Sequence, residues 1–297
     1  MSDLEELLQI AVTVARSAGE LLLDGLHRAP TIVRTKSSRT DLVTEMDLAS
    51  ESLITTSLHR ERPGDAILGE EGARQEGSTG VRWIVDPLDG TTNYLYAWPA
   101  FAVSIAAEVD DVVAVGVVHD PSHGETFAGL RGRGAWLSSP GGGRGAPIDA
   151  AAVPTSLGAG AVRLQVDTAP ALGDALVGTG FNYDARLRSR QAEVLTHVLP
   201  VVRDVRRGGA ASLDLCWVAA GRLDGFFEAG LQPWDWAAGA LVARESGVWV
   251  GDLEGGPPSG SMVLAAAPEL ADRLRALLLE ADAGSARPTR RTPRPRR

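Results

Sequence analysis

Only one cysteine, Cys216, occurs in the 297 residues. No disulfide can form within the chain, which fits a reducing cytosol, and its apolar neighbours make Cys216 a core residue rather than a nucleophile. Long apolar runs are also missing: none reaches the ~18–20 residues of a membrane span. The opening residues, Met1-Ser2-Asp3-Leu4-Glu5-Glu6, lack the basic flank of a signal peptide and read as a helix start, with Ser2 and Glu5 at capping-box spacing. A cytoplasmic protein without membrane attachment is expected. Basic charge is scarce in the body. Net charge is −9, but residues 287–297 hold six arginines and no acid, so the remainder carries 23 basic against 38 acidic residues, a net of −15. An acidic body argues against general nucleic-acid binding. The Arg/Pro-rich tail, residues 284–297, is expected to be disordered, and it is the one segment through which nucleic acid is expected to bind, if at all.

Apolar content is 44%, enough for a large core or for two units sharing one. Residues 3–28 carry helical periodicity, with Leu4, Leu7, Leu8, Val12 and Ala15 on one face. A second helix is expected over 41–60, then strands at 65–69 and 82–86. Segments 101–109, 112–119 and 124–130 read as an antiparallel sheet with turn-like connections. The stretch 139–145 is a surface loop. From Pro154 strands and helices alternate. Strands are expected at 175–179, 223–228, 247–251 and 262–265. Helices are expected at 189–202 and from Ser212, Asp235 and Pro268. The expected division is an N-terminal α+β unit over 1–152, a C-terminal α/β unit over 153–283 that completes the site, and the tail.

The chemistry concentrates in Trp83-Ile84-Val85-Asp86-Pro87-Leu88-Asp89-Gly90-Thr91-Thr92-Asn93. Three apolar residues form a buried strand, expected to stop at Asp86-Pro87 because proline has no N–H for a ladder. Asp89 lies three residues beyond Asp86, so one cation can meet both. Gly90-Thr91-Thr92 can open a helix whose free N–H groups bind phosphate. Hard oxygen ligands beside an anion cradle suit metal-assisted phosphoryl chemistry; the plainer reading is a turn with solvated aspartates. Gly69-Glu70-Glu71 sets two acids side by side. At ~4 Å and an effective dielectric of ~20 they repel by roughly 4 kcal/mol, tolerable in water but poor in a cleft without a cation. Asp235, in Trp234-Asp235-Trp236 before an apolar run, is either a helix cap or a carboxylate aimed into a site. Lys36 to Asp47 alone would pass as a loop entering a helix.

Taken together, these motifs resemble the inositol monophosphatase family of magnesium-dependent, lithium-sensitive phosphatases, and in particular its bacterial members. The resemblance rests on Lys36-Ser37-Ser38, Asp41-Leu42-Val43-Thr44 with Asp47, Gly69-Glu70-Glu71, Asp86 to Asn93, Arg206 to Ala211, and Trp234-Asp235, in the family's order. It covers Leu4 to Leu279 and includes Phe101 to Ala106 and Leu213 to Arg222. It implies a layered αβαβα sandwich, an α+β fold shared with fructose-bisphosphatases, and commonly a homodimer. By resemblance, Glu70, Asp86 and the Leu88 carbonyl hold one Mg²⁺, Asp86, Asp89 and Asp235 hold a second, and a third sits loosely near Glu70. Thr91, hydrogen-bonded to Asp47, orients and deprotonates a water alongside Glu70, and no covalent intermediate forms. The N–H groups of Gly90 and Thr91 grip phosphate. Arg206, Gly209, Ala210, Ala211 and Glu228 face the alcohol of a small phosphorylated polyol. Ala210 stands where the family has Ser or Thr, and Ser212 where it has Ala. Lys36 matches a family lysine near the metals; the alternative is a surface lysine.

Inositol 1-phosphate hydrolysis is the leading expectation. Thr92 favours it, because the histidinol-phosphate and phosphoadenosine branches usually carry Lys there. A broader sugar phosphatase, acting on fructose bisphosphate or NADP, is the alternative enzyme. A regulatory protein engaging RNA or transcription machinery is the alternative of another class.

Overall fold

The structure, a computed structural model, describes residues 3–26, 31–36, 41–140, 154–158 and 160–285. Ser2, Ser37 to Thr40, most of the 139–145 loop, the 152/153 boundary and the tail from residue 286 lie outside them. The helices are α1 (Asp3–Leu26), α2 (Glu45–Glu61), α3 (Thr91–Leu95), α4 (Ala185–Val198), α5 (Ala211–Ala219), α6 (Pro233–Glu245) and α7 (Pro268–Ser285). Among the described residues none is long and apolar enough to cross a membrane.

An eight-stranded sheet runs, edge to edge, through Val162–Leu164, Gly134–Ser138, Glu125–Leu130, Val112–Asp120, Ala102–Val109, Val81–Asp89, Ala66–Gly69 and Arg74–Gln75. A five-stranded sheet runs through Asp204–Arg206, Leu176–Thr179, Gly225–Glu228, Val263–Ala266 and Trp249–Gly251. Strand side chains alternate between faces, and that alternation separates the cores. Trp83, Val85, Val103 and Ile105 face α1 and α2. Ile84, Ala102, Ala106 and Val118 face α5 and α6, which also pack on Phe226, Val263 and Ala265 of the smaller sheet. Phe227 and Leu264 face the opposite way, toward α7 and Val198 of α4. The layers therefore read helix, sheet, helix, sheet, helix, the αβαβα sandwich expected.

Several details differ from the expectations. The strand does not stop at Asp86-Pro87. It continues to Asp89 through an irregularity between Asp86 and Asp89, where the register shifts. Proline is tolerated in a strand at such a bulge because the missing N–H leaves no ladder bond open. Helix α2 begins at Glu45, not 41, because Leu42–Thr44 pairs with Ile32–Thr35 as a hairpin. Thr44 then caps the helix. Helix α4 begins at Ala185, earlier than 189, because Asp184 accepts the N–H groups of Arg186 and Leu187. The short strands at Gly134–Ser138 and Val162–Leu164, which pair with each other, had no counterpart among the expectations.

Two parallel strand pairs aim their carboxyl ends at a common junction. Ala66–Gly69 lies parallel to Val81–Asp89, with Gly69 opposite Val85. Leu176–Thr179 lies parallel to Gly225–Glu228, with Thr179 opposite Phe227.

Candidate active site

The registers decide which side chains meet. Because Gly69 pairs with Val85, Glu70 follows at the level of Asp86, its N–H donating to the Val85 carbonyl at 3.1 Å. The bulge turns Asp89 inward and lets the Leu88 N–H donate to Asp86 Oδ1 at 3.0 Å. Gly90 takes φ +89°, a left-handed conformation open to glycine at little cost, and α3 starts at once. From the other sheet, Thr179 is followed by Gly180, where an added Cβ would stand 1.9 Å from Glu228 Oε2. Glycine at that position leaves room for the glutamate. Pro233 opens α6 as its first residue, and Asp235 Oδ2 accepts the Gln232 N–H at 2.7 Å. Asp235 thus caps its helix and also lines the same cavity.

That cavity encloses about 460 Å³. Its wall carries Glu70, Asp86, Leu88, Asp89, Gly90, Thr91, Gly209, Ala211, Glu228 and Asp235. Asp47 stands behind the wall, fully buried, and accepts from Thr44 N at 2.7 Å, Thr44 Oγ1 at 2.5 Å and Thr91 Oγ1 at 2.8 Å. Ala210 is buried behind Gly90 and Ala211. Arg206 is turned away. It ends a strand, its side chain lies on the same face as Asp204, and Nη1 sits 2.6 Å from Asp204 Oδ2. The arginine on the cavity wall is its neighbour, Arg207.

Buried like charges set the electrostatics. Burial, and then the charges of Glu70, Asp89 and Asp235, push the Asp86 carboxyl well above its usual range. Burial also raises Glu70 and Asp235, lifts Asp89 to about 6 against two bonds from Ser212, and lifts Glu228 to about 8. The Glu70–Glu71 repulsion is answered by a cation from the chain itself: Lys36 Nζ stands 2.7 Å from Glu70 Oε1 and 2.5 Å from Glu71 Oε1. Lys36 is thus part of the wall, paired there although still reached by solvent.

Each carboxylate is engaged within the protein: Glu70 with Lys36 and Asp86, Asp89 with Ser212, Asp235 with Gln232. Among the described residues no three His, Cys, Asp or Glu side chains are already gathered as a ready metal site. The donor set nevertheless fits Mg²⁺. Every donor is a hard oxygen, and several acids share one buried wall at a cost that a divalent cation relieves.

Four contributors escaped the motif reading. Glu51 of α2 accepts the N–H groups of Glu71 at 2.9 Å and Ala73 at 3.1 Å, fixing the turn after Glu70. Ser212, noted only as a departure from the family pattern, holds Asp89 Oδ2 through its N–H at 2.8 Å and its hydroxyl at 2.5 Å. Tyr183 lines the cavity and hydrogen-bonds Thr92. Asp214 is buried close to Gly208, with neither carboxyl oxygen hydrogen-bonded. An acid inside the apolar run of α5 was the signal available for the last.

Residues 3–283 match the inositol monophosphatase family, and the chain belongs to it. A Mycobacterium bovis protein named inositol-1-monophosphatase is 45% identical over 254 residues, covering 83% of this chain and 81% of its own. An Escherichia coli relative named Nus factor SuhB is 37% identical over 252 residues, covering 84% and 86%. The crystal structure of the extragenic suppressor protein suhB from Bartonella henselae superposes with a TM-score of 0.80 at 32% identity, covering 92% of this chain and 98% of that one.

Proposed function

We propose that the protein is a Mg²⁺-dependent phosphatase that hydrolyses inositol 1-phosphate to inositol and phosphate. The observation that carries this reading is the single cavity wall bearing Glu70, Asp86, Asp89 and Asp235 together with Thr91. Glu70, Asp86, the Leu88 carbonyl, Asp89 and Asp235 are the residues to hold two to three Mg²⁺. When bound, the ions supply the Lewis acidity that activates water and stabilises the leaving alkoxide.

The chain's own groups do the rest. The Thr91 hydroxyl donates to Asp47 Oδ1, with the Leu88 carbonyl at 3.2 Å as a second acceptor, so its own lone pairs are left to orient a water and take its proton. Asp47 is held to one orientation by Thr44, so Thr91 is held too. The first turn of α3 leaves its N–H groups without partners inside the helix, and those of Gly90 and Thr91 are available to phosphate. Glu228 faces the alcohol and exchanges hydrogen bonds with ring hydroxyls, with Gly209 and Ala211 alongside. Phosphate release from inositol 1-phosphate, fructose 1,6-bisphosphate and NADP, measured over a Mg²⁺ titration, tests the reading. Mg²⁺-dependent turnover with inositol 1-phosphate preferred, and inhibited by lithium, is expected. No turnover of any ester would sink it.

A second reading draws on relatives named Nus factor SuhB: contact with RNA or transcription machinery through the basic tail. Salt-sensitive RNA binding that is lost on removing residues 284–297 tests it. A homodimer is also proposed, to be read by light scattering.

A further inference from the structure

We propose that Arg207, with Tyr183 beside it, forms a subsite for a second phosphate at the alcohol end of the cavity. The proposal rests on the phosphatase reading and extends its substrate class from polyol monophosphates to those that carry another phosphate.

Among the described residues two cationic side chains line the cavity, Lys36 and Arg207. They are not equivalent. Lys36 is committed to Glu70 and Glu71. Arg207 makes no hydrogen bond or ion pair with the described residues, although it is on the same wall. Arg207 is exposed to solvent, yet its guanidinium stays against the wall. An added Cβ at residue 209 would stand 2.3 Å from Arg207 Nη1, so the guanidinium lies folded back over the Gly209 backbone. Gly209 has φ +88°, and any side chain there would occupy the place that the guanidinium takes. Arg207 bears on the ionisation of Glu228, Asp214 and Tyr183, which are the groups of the alcohol end.

The two acids beside Arg207 do not consume its charge. Both are buried, and burial favours their neutral forms; neither is hydrogen-bonded to the guanidinium. A guanidinium that is planar, always charged and without a hydrogen-bond partner among the described residues is the side chain best matched to a phosphate, which it can grip through two parallel bonds. Tyr183 supplies a neutral hydroxyl on the same side. Its loop is tied down: Asn182 N–H donates to Gln191 Oε1 at 2.8 Å, and Arg188 Nη1 donates to the Asn182 carbonyl at 3.0 Å. The hydroxyl itself is held at the cavity by its bond with Thr92. A cavity of about 460 Å³ is within the usual range for small-molecule sites. It has room for a scissile phosphate at the acidic end and a second one at Arg207.

A matched pair of substrates, inositol 1-phosphate and inositol 1,4-bisphosphate, isolates the effect of the second phosphate. The readout is the ratio of kcat/KM for the bisphosphate to that for the monophosphate, with Mg²⁺ present. Charged hydrogen bonds to a phosphate are expected to make that ratio fall roughly 10- to 100-fold in Arg207→Gln. The fall should appear in KM. Arg207→Lys should keep part of the ratio, because it keeps the charge and loses the planar fork. Tyr183→Phe should lower the ratio severalfold. A ratio within twofold of wild type in Arg207→Gln, or equal losses on both substrates, overturns the subsite and leaves Arg207 a solvated arm. Should the wild type hydrolyse neither ester, the phosphatase reading has failed on its own. Both ligands then survive in solution, and the same comparison is made on dissociation constants by calorimetry, with the same fall expected in Arg207→Gln and the same result overturning the proposal.

Discussion

Replacing Asp47 with Asn should have opposite effects on stability and on catalysis. Asp47 is fully buried, and burial, opposed by its three hydrogen bonds, lifts its carboxyl from 3.8 to about 6. In the unfolded chain it titrates near its ordinary value of ~3.9. Between those two values the folded state holds a proton that the unfolded state has released. The stability tied to Asp47 is therefore complete below about pH 4 and is lost as pH rises through 6. Two pKa units at roughly 1.4 kcal/mol each come to about 3 kcal/mol. Asparagine does not titrate, so the stability of Asp47→Asn relative to wild type should rise by about that amount between pH 4 and pH 7.5, roughly 5 °C in Tm for a chain of this size. Catalysis should go the other way. The asparagine Nδ2 would donate to Thr91 Oγ1 and reverse the bond that frees the Thr91 lone pairs. Loss of a positioned proton acceptor costs roughly 10²–10⁴ in kcat. Thermal melts by circular dichroism in EDTA from pH 4 to 7.5 measure the first effect, and phosphate release with saturating Mg²⁺ measures the second. Parallel stability curves for the two proteins would refute the electrostatic reasoning; unchanged kcat would refute the role of the Thr91–Asp47 pair.

Thr91→Ala should lower kcat far more than it raises KM, and combined with Asp47→Asn it should cost little beyond either alone; fully additive losses would show that the two act separately. Asp86→Asn keeps an oxygen for the Leu88 N–H, so the fold should survive while activity and the Mg²⁺-induced rise in Tm disappear. The stabilisation behind that rise should be about 2.7 kcal/mol at a hundredfold excess of Mg²⁺ over its dissociation constant in wild type, and an undiminished rise in the mutant would remove Asp86 from the metal site. Glu228→Ala should lower the ratio of kcat/KM for inositol 1-phosphate to that for p-nitrophenyl phosphate by up to about one decade, since a hydrogen bond from a neutral carboxyl contributes roughly 0.5–1.5 kcal/mol; an unchanged ratio would make Glu228 a structural residue.

How much of this was legible beforehand depended on whether the interactions were local. The layers follow from period-2 and helical patterning, which leaves Ile84 and Val85 facing different helices. The acids at Asp86, Asp89 and Glu70 stand out because each follows an apolar strand. The course of the chain through Pro87 was not legible, because a bulge depends on the neighbouring strand and not on the residues within it. The side-chain bond from Ser212 to Asp89 spans 123 positions; no local rule separates it from an alanine-to-serine drift. Arg206 and Arg207 are adjacent, and on a strand end a single position decides which of them faces the cavity. The motif alone favoured the first and the register delivers the second.

The wall of the cavity combines rigid positioning with unresolved charge, and the two need each other. Acids packed as closely as Glu70, Asp86, Asp89 and Asp235 would move apart if they were free to move. They are not. Asp86 is tied to the Leu88 N–H, Asp89 to both donors of Ser212, Asp235 to the head of its own helix, and the turn carrying Glu70 is pinned by Glu51. The protein can therefore lower the repulsion only by taking up protons or cations. Protons answer through the raised pKa values of Asp86 and Asp89. A tethered ammonium answers at Glu70 and Glu71. Neither neutralises the whole wall, and both are displaceable. This is the physical reason to expect that a divalent cation binds here with release of protons, and that Lys36 must loosen its hold on Glu70 as it does so.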